Sequence, residues 1–231
     1  MIRNISFRGG SFQIWSLETY PNHASWTSFD DEINIKEAFW HIQPGAHVLD
    51  IGAAFGSYAL TALAQGAGMV WAWSPQGHPG ETEQEVLQKS IILNGWGDKC
   101  IVYNTGLYSS VGYLHTVNQT IQSTIDDEFV ARTAGNIIKV ETLDSWAGRE
   151  LSTSQRVDWM KLDVEGAEVE VLKGAANTIL KYKPNIQVEN HIFKRASIAD
   201  EVRQFLNELD YQEVGNIPYT AAVTHSLYKS K

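Results

Sequence analysis

Four ionisable side chains stand at the ends of two apolar runs in the C-terminal half of this 231-residue chain. Asp163 and Glu165 follow the run Val157-Asp158-Trp159-Met160-Lys161-Leu162, and Glu189 and His191 close the run that begins Asn185-Ile186-Gln187-Val188. Carboxylates and an imidazole delivered to one cleft can orient a hydroxyl group and accept its proton as a new bond forms. A second constellation, Val48-Leu49-Asp50-Ile51-Gly52-Ala53-Ala54-Phe55-Gly56, has small residues at 52, 54 and 56. Small residues let the backbone turn tightly and let a ligand approach the main chain, and a helix start just beyond offers unpaired N–H groups.

What such a bend binds is open between several readings. A dinucleotide fingerprint, G-x-G-x-x-G, needs glycine where Ala54 and Ser57 stand, and the Gly-Lys-[Ser/Thr] ending of a Walker A loop is absent. An acid two residues ahead of the first glycine, here Asp50, resembles the pattern of S-adenosylmethionine sites, in which that carboxylate lies near the amino-acid end of the cofactor. A tight strand–helix turn with no ligand is the bland alternative. On the S-adenosylmethionine reading the cofactor set is Asp50, Gly52, Ala54 and Gly56, with Ser74 and Gln76 after the next strand, Gly106 and Leu107 after the third, and Asp163.

Asp163 is then the carboxylate that orients acceptor and cofactor. His191 is the first candidate for general base, because an imidazole of ordinary pKa, ~6.5, is largely neutral at pH 7; Glu189 is the second. Glu165 and Glu189 hold the acceptor, with Tyr20, Trp26, Phe29 and Trp146 as possible aromatic walls. The competing structural readings are that Asp163 and Glu165 cap a helix at Ala167, that His191 is an ordinary surface residue, and that any one aromatic is core packing. Carboxylate-rich sets also hold divalent ions, but no dedicated ligand spacing is present and no metal is expected. A Lys–Asp–Lys–Glu set including Lys161 would suggest RNA 2′-O methylation. Lys161, though, is expected to point away from its strand neighbours and only pack its stem.

The elements that must position these residues alternate. Strands are expected at 47–51, 69–73, 100–103, 157–163 and 185–189, with helices near 58–65, 81–94, 167–180 and 198–209. Alternation of this length implies a doubly wound α/β fold with a mostly parallel sheet and crossover helices. Strands near 211–214 and 221–228 are expected to pair antiparallel across Asn216-Ile217-Pro218. Residues 1–45 read as a lead-in that caps the acceptor site, with a helix capped by Ser28 or Asp30 and running to about His41. Residues 106–154 read as an insertion containing a ribbon of 111–115 and 137–140, with the polar stretch 118–133 as a loop. The whole chain, 1–231, reads as one domain.

The segment from Val157 to Ala175, with Lys161-Leu162-Asp163-Val164-Glu165-Gly166-Ala167-Glu168 at its centre, resembles the hallmark of the FkbM family of methyltransferases. Asp50–Gly56, Leu93-Asn94-Gly95, Thr142-Leu143-Asp144 and Lys183-Pro184-Asn185 followed by Glu189 extend the resemblance from about residue 44 to 191. It implies a seven-stranded class I methyltransferase (Rossmann-like) sheet, S-adenosylmethionine as methyl donor, and O-methylation of a polyketide, sugar or glycan hydroxyl. One position departs from it. Where the family's A-F-E-P pattern provides an acid to grip the ribose hydroxyls, this chain has Ser74 before Pro75, with Gln76 or His78 as possible compensation.

Composition narrows the partners. The net charge is −9 and Lys and Arg are scattered, so the basic stripe of a nucleic-acid binder is missing and RNA is a minor option; a small-molecule or glycan acceptor is what the resemblance implies. Cys100 is the only cysteine, which suits a reducing compartment. No apolar segment reaches the ~20 residues of a membrane span, and no leader is recognisable, so a cytoplasmic location is the expectation. The eight tryptophans suggest that some lie near the surface or line a cleft. Two rivals remain: a catalytically silent S-adenosylmethionine-binding module, and a nucleotide-sugar or NAD enzyme on a related sheet.

Overall fold

Residues 2–15, 32–75, 83–117, 120–125 and 136–231 are described by the computed structural model. Strands β1 (Ile2–Phe7) and β2 (Gly10–Trp15) form an N-terminal hairpin, followed by α1 (Ile33–Phe39). Then come β3 (His47–Ile51), α2 (Ser57–Ala64), β4 (Met69–Trp73), α3 (Glu83–Leu93) and β5 (Cys100–Tyr103). The second half contributes β10 (Trp159–Leu162), α5 (Glu168–Lys173), α6 (Ala176–Tyr182), β11 (Asn185–His191), α7 (Ile198–Glu208), β12 (Tyr211–Thr220) and β13 (Val223–Ser230). Between the halves lie β6 (Gly106–Leu107), β7 (Gly112–Val117), β8 (Thr120–Ile125), β9 (Asn136–Glu141) and α4 (Leu143–Glu150).

The seven-stranded sheet has the order β12-β13-β11-β10-β3-β4-β5. All neighbours from β11 to β5 are parallel, and β13 runs against both strands beside it. This is the doubly wound α/β architecture expected. Alternate residues of each strand feed opposite faces: Val48, Val70 and Trp159 pack with Leu60, Leu63 and Trp40 on one side, and Leu49, Ile51, Trp71, Trp73, Met160 and Leu162 pack with Leu172, Ile179, Val202 and Leu206 on the other. From β3 the chain winds out through β4 to β5, then returns to lay β10 along the other side of β3. The carboxyl ends of β3 and β10 therefore flank the point where strand order reverses, the place where open α/β sheets take their ligands.

Several local expectations are corrected. The helix expected over 167–180 is two helices, α5 and α6, because the chain is pinned between them. A Cβ on Gly174 would lie 2.1 Å from the Tyr108 carbonyl oxygen. In addition, the Asp144 carboxylate accepts from the backbone N–H groups of Asn177 (3.1 Å) and Thr178 (2.7 Å), giving α6 a start of its own. The insertion is a four-stranded sheet of order β6-β9-β7-β8 rather than a ribbon, and β8 falls inside the stretch expected as loop. It also yields α4, where Thr142 Oγ1 accepts from the Ser145 N–H at 3.0 Å. The lead-in helix is seen as α1 alone; its expected caps, Ser28 and Asp30, lie outside the described residues.

Five tryptophans fill the core, Trp40, Trp71, Trp73, Trp146 and Trp159, while Trp15 and Trp96 are half-buried near the surface, as expected of some of them. Trp146 of α4 sits edge-on against Trp71 and Trp73, with ring centroids 5.5 and 4.9 Å away, so it is packing and not an acceptor wall. Trp26, Phe29 and Tyr20 lie outside the described residues. Among the described residues no helix is long and apolar enough to cross a membrane.

Candidate active site

The bend after β3 is built against the end of β10. Gly52 has φ +87°, and a Cβ there would fall 1.6 Å from the backbone oxygen of Asp163, so the two strand ends meet main chain to main chain. The Asp163 N–H donates to the Ile51 carbonyl at 2.9 Å, and the N–H groups of Gly52 and Ala53 both donate to the Trp73 carbonyl, at 3.0 and 2.8 Å. Ala54 is left-handed (φ +46°), a conformation that a residue with a side chain adopts at a cost. Gly56, also left-handed at φ +87°, precedes α2 and packs where a Cβ would lie 2.2 Å from Leu87 Cδ1.

Asp50 is turned inward. Its Oδ2 accepts from the Ala59 N–H in the first turn of α2 at 2.8 Å, and the residue is 1% exposed. Burial pushes its carboxyl up to about 7, against the opposing pull of Lys161 and the Ala59 bond. Because the folded-state pKa lies above the unfolded value, Asp50 favours folding most at pH below the ordinary carboxylate range, and that contribution is lost as pH rises through about 7. Asp50→Asn, which keeps an acceptor for Ala59, is therefore expected to gain stability on the wild type as pH climbs from 5 to 8. Urea unfolding at the two pH values checks this; an unchanged difference between the proteins would contradict it.

Ser74 is buried at the end of β4, its Oγ donating to the Ala54 carbonyl at 3.5 Å. Gly106 lies behind it, a Cβ there coming 3.8 Å from Pro75 Cγ, and Leu107 is buried beside it in β6. Leu107 packs in the core with Trp71, Trp73 and Trp146. Gln76 lies outside the described residues. Two further buried hydroxyls, Ser57 Oγ at the start of α2 and Thr105 Oγ1 just after β5, have no hydrogen-bond partner among the described residues.

The strand-end acids and the imidazole do converge. Lys161, fully buried, places its ammonium 3.3 Å from Glu189 Oε2 and 3.6 Å from Asp163 Oδ2, and 4.6 Å above the Tyr58 ring. The other oxygens of those two carboxylates, Asp163 Oδ1 and Glu189 Oε1, each lie 3.6 Å from His191 Nε2, and Glu165 Oε1 lies 3.6 Å from it as well. His191 Nδ1 is tied to Glu168 Oε1 at 2.7 Å, and the same oxygen accepts the Gly166 N–H at 3.0 Å. Glu168 therefore joins the end of β11 to the left-handed bend Glu165-Gly166 (φ +54° and +103°). Neither Asp163 nor Glu165 caps α5, whose N-cap residue Ala167 makes no side-chain cap bond.

The charges settle accordingly. Burial opposes ionisation of Asp163, but Lys161 and His191 hold its carboxyl below the usual range. Burial and the neighbouring Asp163 push Glu189 up to about 8, and burial raises Glu165. Burial would lower His191, yet the Glu168 hydrogen bond and the Asp163 and Glu165 carboxylates outweigh it and raise the imidazole to about 9. This removes the premise that made His191 the first choice of base: in this nest of acids it already carries its proton at pH 7. It is also no surface residue, at 3% exposure.

Two members of the group escaped the sequence reading. Lys161 does point away from its strand neighbours, but its head group is at the centre of the cluster instead of reaching water. A lysine in the middle of a four-residue strand buried throughout cannot snorkel out and needs a carboxylate partner, which is the signal that would have found it. Glu168 stands in the first turn of α5, where an acid ordinarily reads as a favourable helix-terminus charge.

Comparison with known proteins places this arrangement. The methyltransferase FkbM domain matches residues 50–213, which include both the bend and the charged group. The chain belongs to the FkbM methyltransferase family. A crystal structure of methyltransferase FkbM from Methylobacillus flagellatus KT superposes with a TM-score of 0.62 at 18% identity, covering 86% of this chain and 47% of that one. This chain thus spans about half the length of that FkbM protein. The putative methyltransferase yhhF from Escherichia coli aligns over 99% of both chains with a TM-score of 0.55 at 12% identity. Wild-type Trm5b from Pyrococcus abyssi gives 0.52 at 11% identity, over 100% of this chain and 56% of its own. At these identities the likeness is one of fold, the Rossmann-like class I methyltransferase sheet. No curated protein matches the sequence significantly.

Proposed function

We propose that this FkbM-family chain is an S-adenosylmethionine-dependent O-methyltransferase whose acceptor is a hydroxyl of a sugar, a glycan or a small natural product. The observation that carries the reading is the Gly52–Asp163 backbone contact, which brings the small-residue bend and the carboxylate group to one crevice at the point of strand-order reversal. The bend suits the cofactor: Ser57 Oγ, at its end, is a buried hydroxyl with no partner among the described residues, and buried polar groups are ordinarily satisfied. S-adenosylmethionine supplies a methyl group already activated on sulfur. What remains for the chain is to hold the acceptor oxygen in line and take its proton.

In this reading Asp163, ionised beside Lys161, orients the hydroxyl. Imidazolium His191 donates to the acceptor and keeps the acids from repelling one another. Glu189, the second candidate base, becomes the first, since a general base works best with a pKa near the operating pH, and Glu165 stands beside it at the mouth. Asp163, Glu165, Glu168 and Glu189 outnumber Lys161 and His191, so uncharged polyhydroxyl acceptors are favoured over phosphorylated or uronic ones. Methyl-release assays across neutral and anionic sugars test this. Absence of transfer to every acceptor, with no calorimetric heat from S-adenosylmethionine or S-adenosylhomocysteine at millimolar concentration, would end it.

Ser74 favours a second reading, the catalytically silent binding module. A carboxylate accepts both ribose hydroxyl protons, whereas Ser74 already spends its hydroxyl on Ala54. Ser74→Glu is expected to tighten S-adenosylhomocysteine binding at least tenfold, since a hydrogen bond to a charged group contributes about 1.5–3 kcal/mol. Titration calorimetry of the two proteins measures it; equal affinity would mean that the ribose is gripped elsewhere.

A further inference from the structure

His191 Nε2 faces three carboxylate oxygens, Asp163 Oδ1, Glu165 Oε1 and Glu189 Oε1, all at 3.6 Å. That separation exceeds a hydrogen bond. It matches the spacing of neighbouring donors around a tetrahedral ion, roughly 3.3–3.6 Å when each bond is ~2.0–2.2 Å. One donor atom from each of Asp163, Glu189 and His191 lies within 4.8 Å of the others. Each carboxylate of this trio divides its labour: Asp163 Oδ2 and Glu189 Oε2 face Lys161, and Oδ1 and Oε1 are turned forward.

One observation beyond the acids points the same way. His191 is 3% exposed; its Nδ1 is fixed by Glu168 at 2.7 Å, and its Nε2 faces the three carboxylate oxygens at 3.6 Å. A buried histidine with one nitrogen anchored to a carboxylate and the other aimed at a cluster of oxygens is oriented as metal-ligating histidines are. Behind it His225, entirely buried and with neither nitrogen hydrogen-bonded among the described residues, directs Nε2 at Glu189 Oε2 from 3.9 Å.

We propose that Asp163, Glu189 and His191 bind a divalent transition-metal ion, with Glu168 as the outer carboxylate that sets the imidazole and Glu165 at the open side. The mixed nitrogen and oxygen donors select Mn²⁺ or Zn²⁺ over Ca²⁺, which takes oxygen ligands. The ion takes the place of the proton at Nε2 and leaves a coordination position for the acceptor hydroxyl. This rests on the methyl-transfer reading for the acceptor but reassigns two of its roles, His191 and Glu189 becoming ligands in place of hydrogen-bond donor and base: the C–S bond breaks as the C–O bond forms, and neutral S-adenosylhomocysteine departs. Glu189 being occupied as a ligand, the hydroxyl proton goes to Glu165.

Chelator-dialysed protein titrated with Mn²⁺, read by electron paramagnetic resonance and calorimetry, tests the site without reference to activity. One ion per chain is expected, with ¹⁴N hyperfine coupling from one histidine, competition by Zn²⁺ and none by Ca²⁺. His191→Ala is expected to abolish the nitrogen coupling, and Glu168→Gln to weaken binding 10–100-fold. The coupling is read on the wild type, so the result does not hang on whether the variants fold. Absence of saturable Mn²⁺ or Zn²⁺ binding at millimolar concentration, or binding without nitrogen coupling, would overturn the proposal. Full methyl transfer by metal-free protein would likewise overturn it while leaving the methyltransferase reading intact. Nitrogen-coupled binding in a protein that methylates nothing would uphold the ion site and defeat the transfer reading alone.

Discussion

Asp163→Asn is expected to lower kcat for methyl transfer about 10²-fold, the scale of losing a group that holds the reacting oxygen in line. The amide keeps the shape of the carboxylate but loses the charge that Lys161 and His191 both face, at 3.6 Å each. The loss should fall on kcat more than on the KM for S-adenosylmethionine, because the bend that holds the cofactor meets Asp163 through its backbone, which the substitution does not alter. Steady-state kinetics with the best neutral acceptor measure both. Turnover within threefold of the wild type would remove Asp163 from the chemistry.

Gly52→Ala is expected to destabilise the fold severely. The new methyl group would fall 1.6 Å from the Asp163 backbone oxygen, at a φ of +87°. No rotamer relieves a clash with main chain, and separating the two strand ends breaks the pairing of β3 with β10 in the centre of the sheet. A cost above about 4 kcal/mol, among the largest seen for single substitutions, follows. Gly45→Ala is the matched control: it has nearly the same φ, +80°, but nothing within 4 Å, so it should show only the left-handed penalty of about 1–2 kcal/mol. Urea unfolding of the pair separates packing from backbone strain. Equal midpoints would mean that the bend yields and that the contact is not what joins the sheet halves.

The parts of this molecule legible in the sequence are those written in local pattern. Runs such as His47–Ile51 and Met69–Trp73 read as buried strands because crossover helices cover both faces of a parallel sheet, and both form as expected. The convergence of Asp163, Glu165, Glu189 and His191 followed from the same pattern, since adjacent parallel strands deliver their carboxyl ends to one rim. What was not legible depended on contacts distant along the chain. The break between α5 and α6 is imposed by Tyr108 and Asp144; Gly174, the local hint between Ala167 and Leu180, does not by itself end a helix. The protonation of His191 likewise depends on Glu168 and on acids from the neighbouring strand; an imidazole read alone looks neutral. Gln76 and Tyr20, named from the sequence, fall outside the described residues.

The three indoles of Trp71, Trp73 and Trp146, held edge to face with interplanar angles of 74° and 81°, give the chain a built-in optical signature. Aromatic chromophores locked in one asymmetric arrangement produce near-ultraviolet circular dichroism, which disappears when side-chain packing loosens even if helices and strands persist. Since Trp146 comes from the inserted α4 and the other two from β4 of the seven-stranded sheet, the signal reports whether that helix is seated on the sheet. A variant that loses turnover but keeps this band is impaired in its chemistry, and one that loses both has come apart.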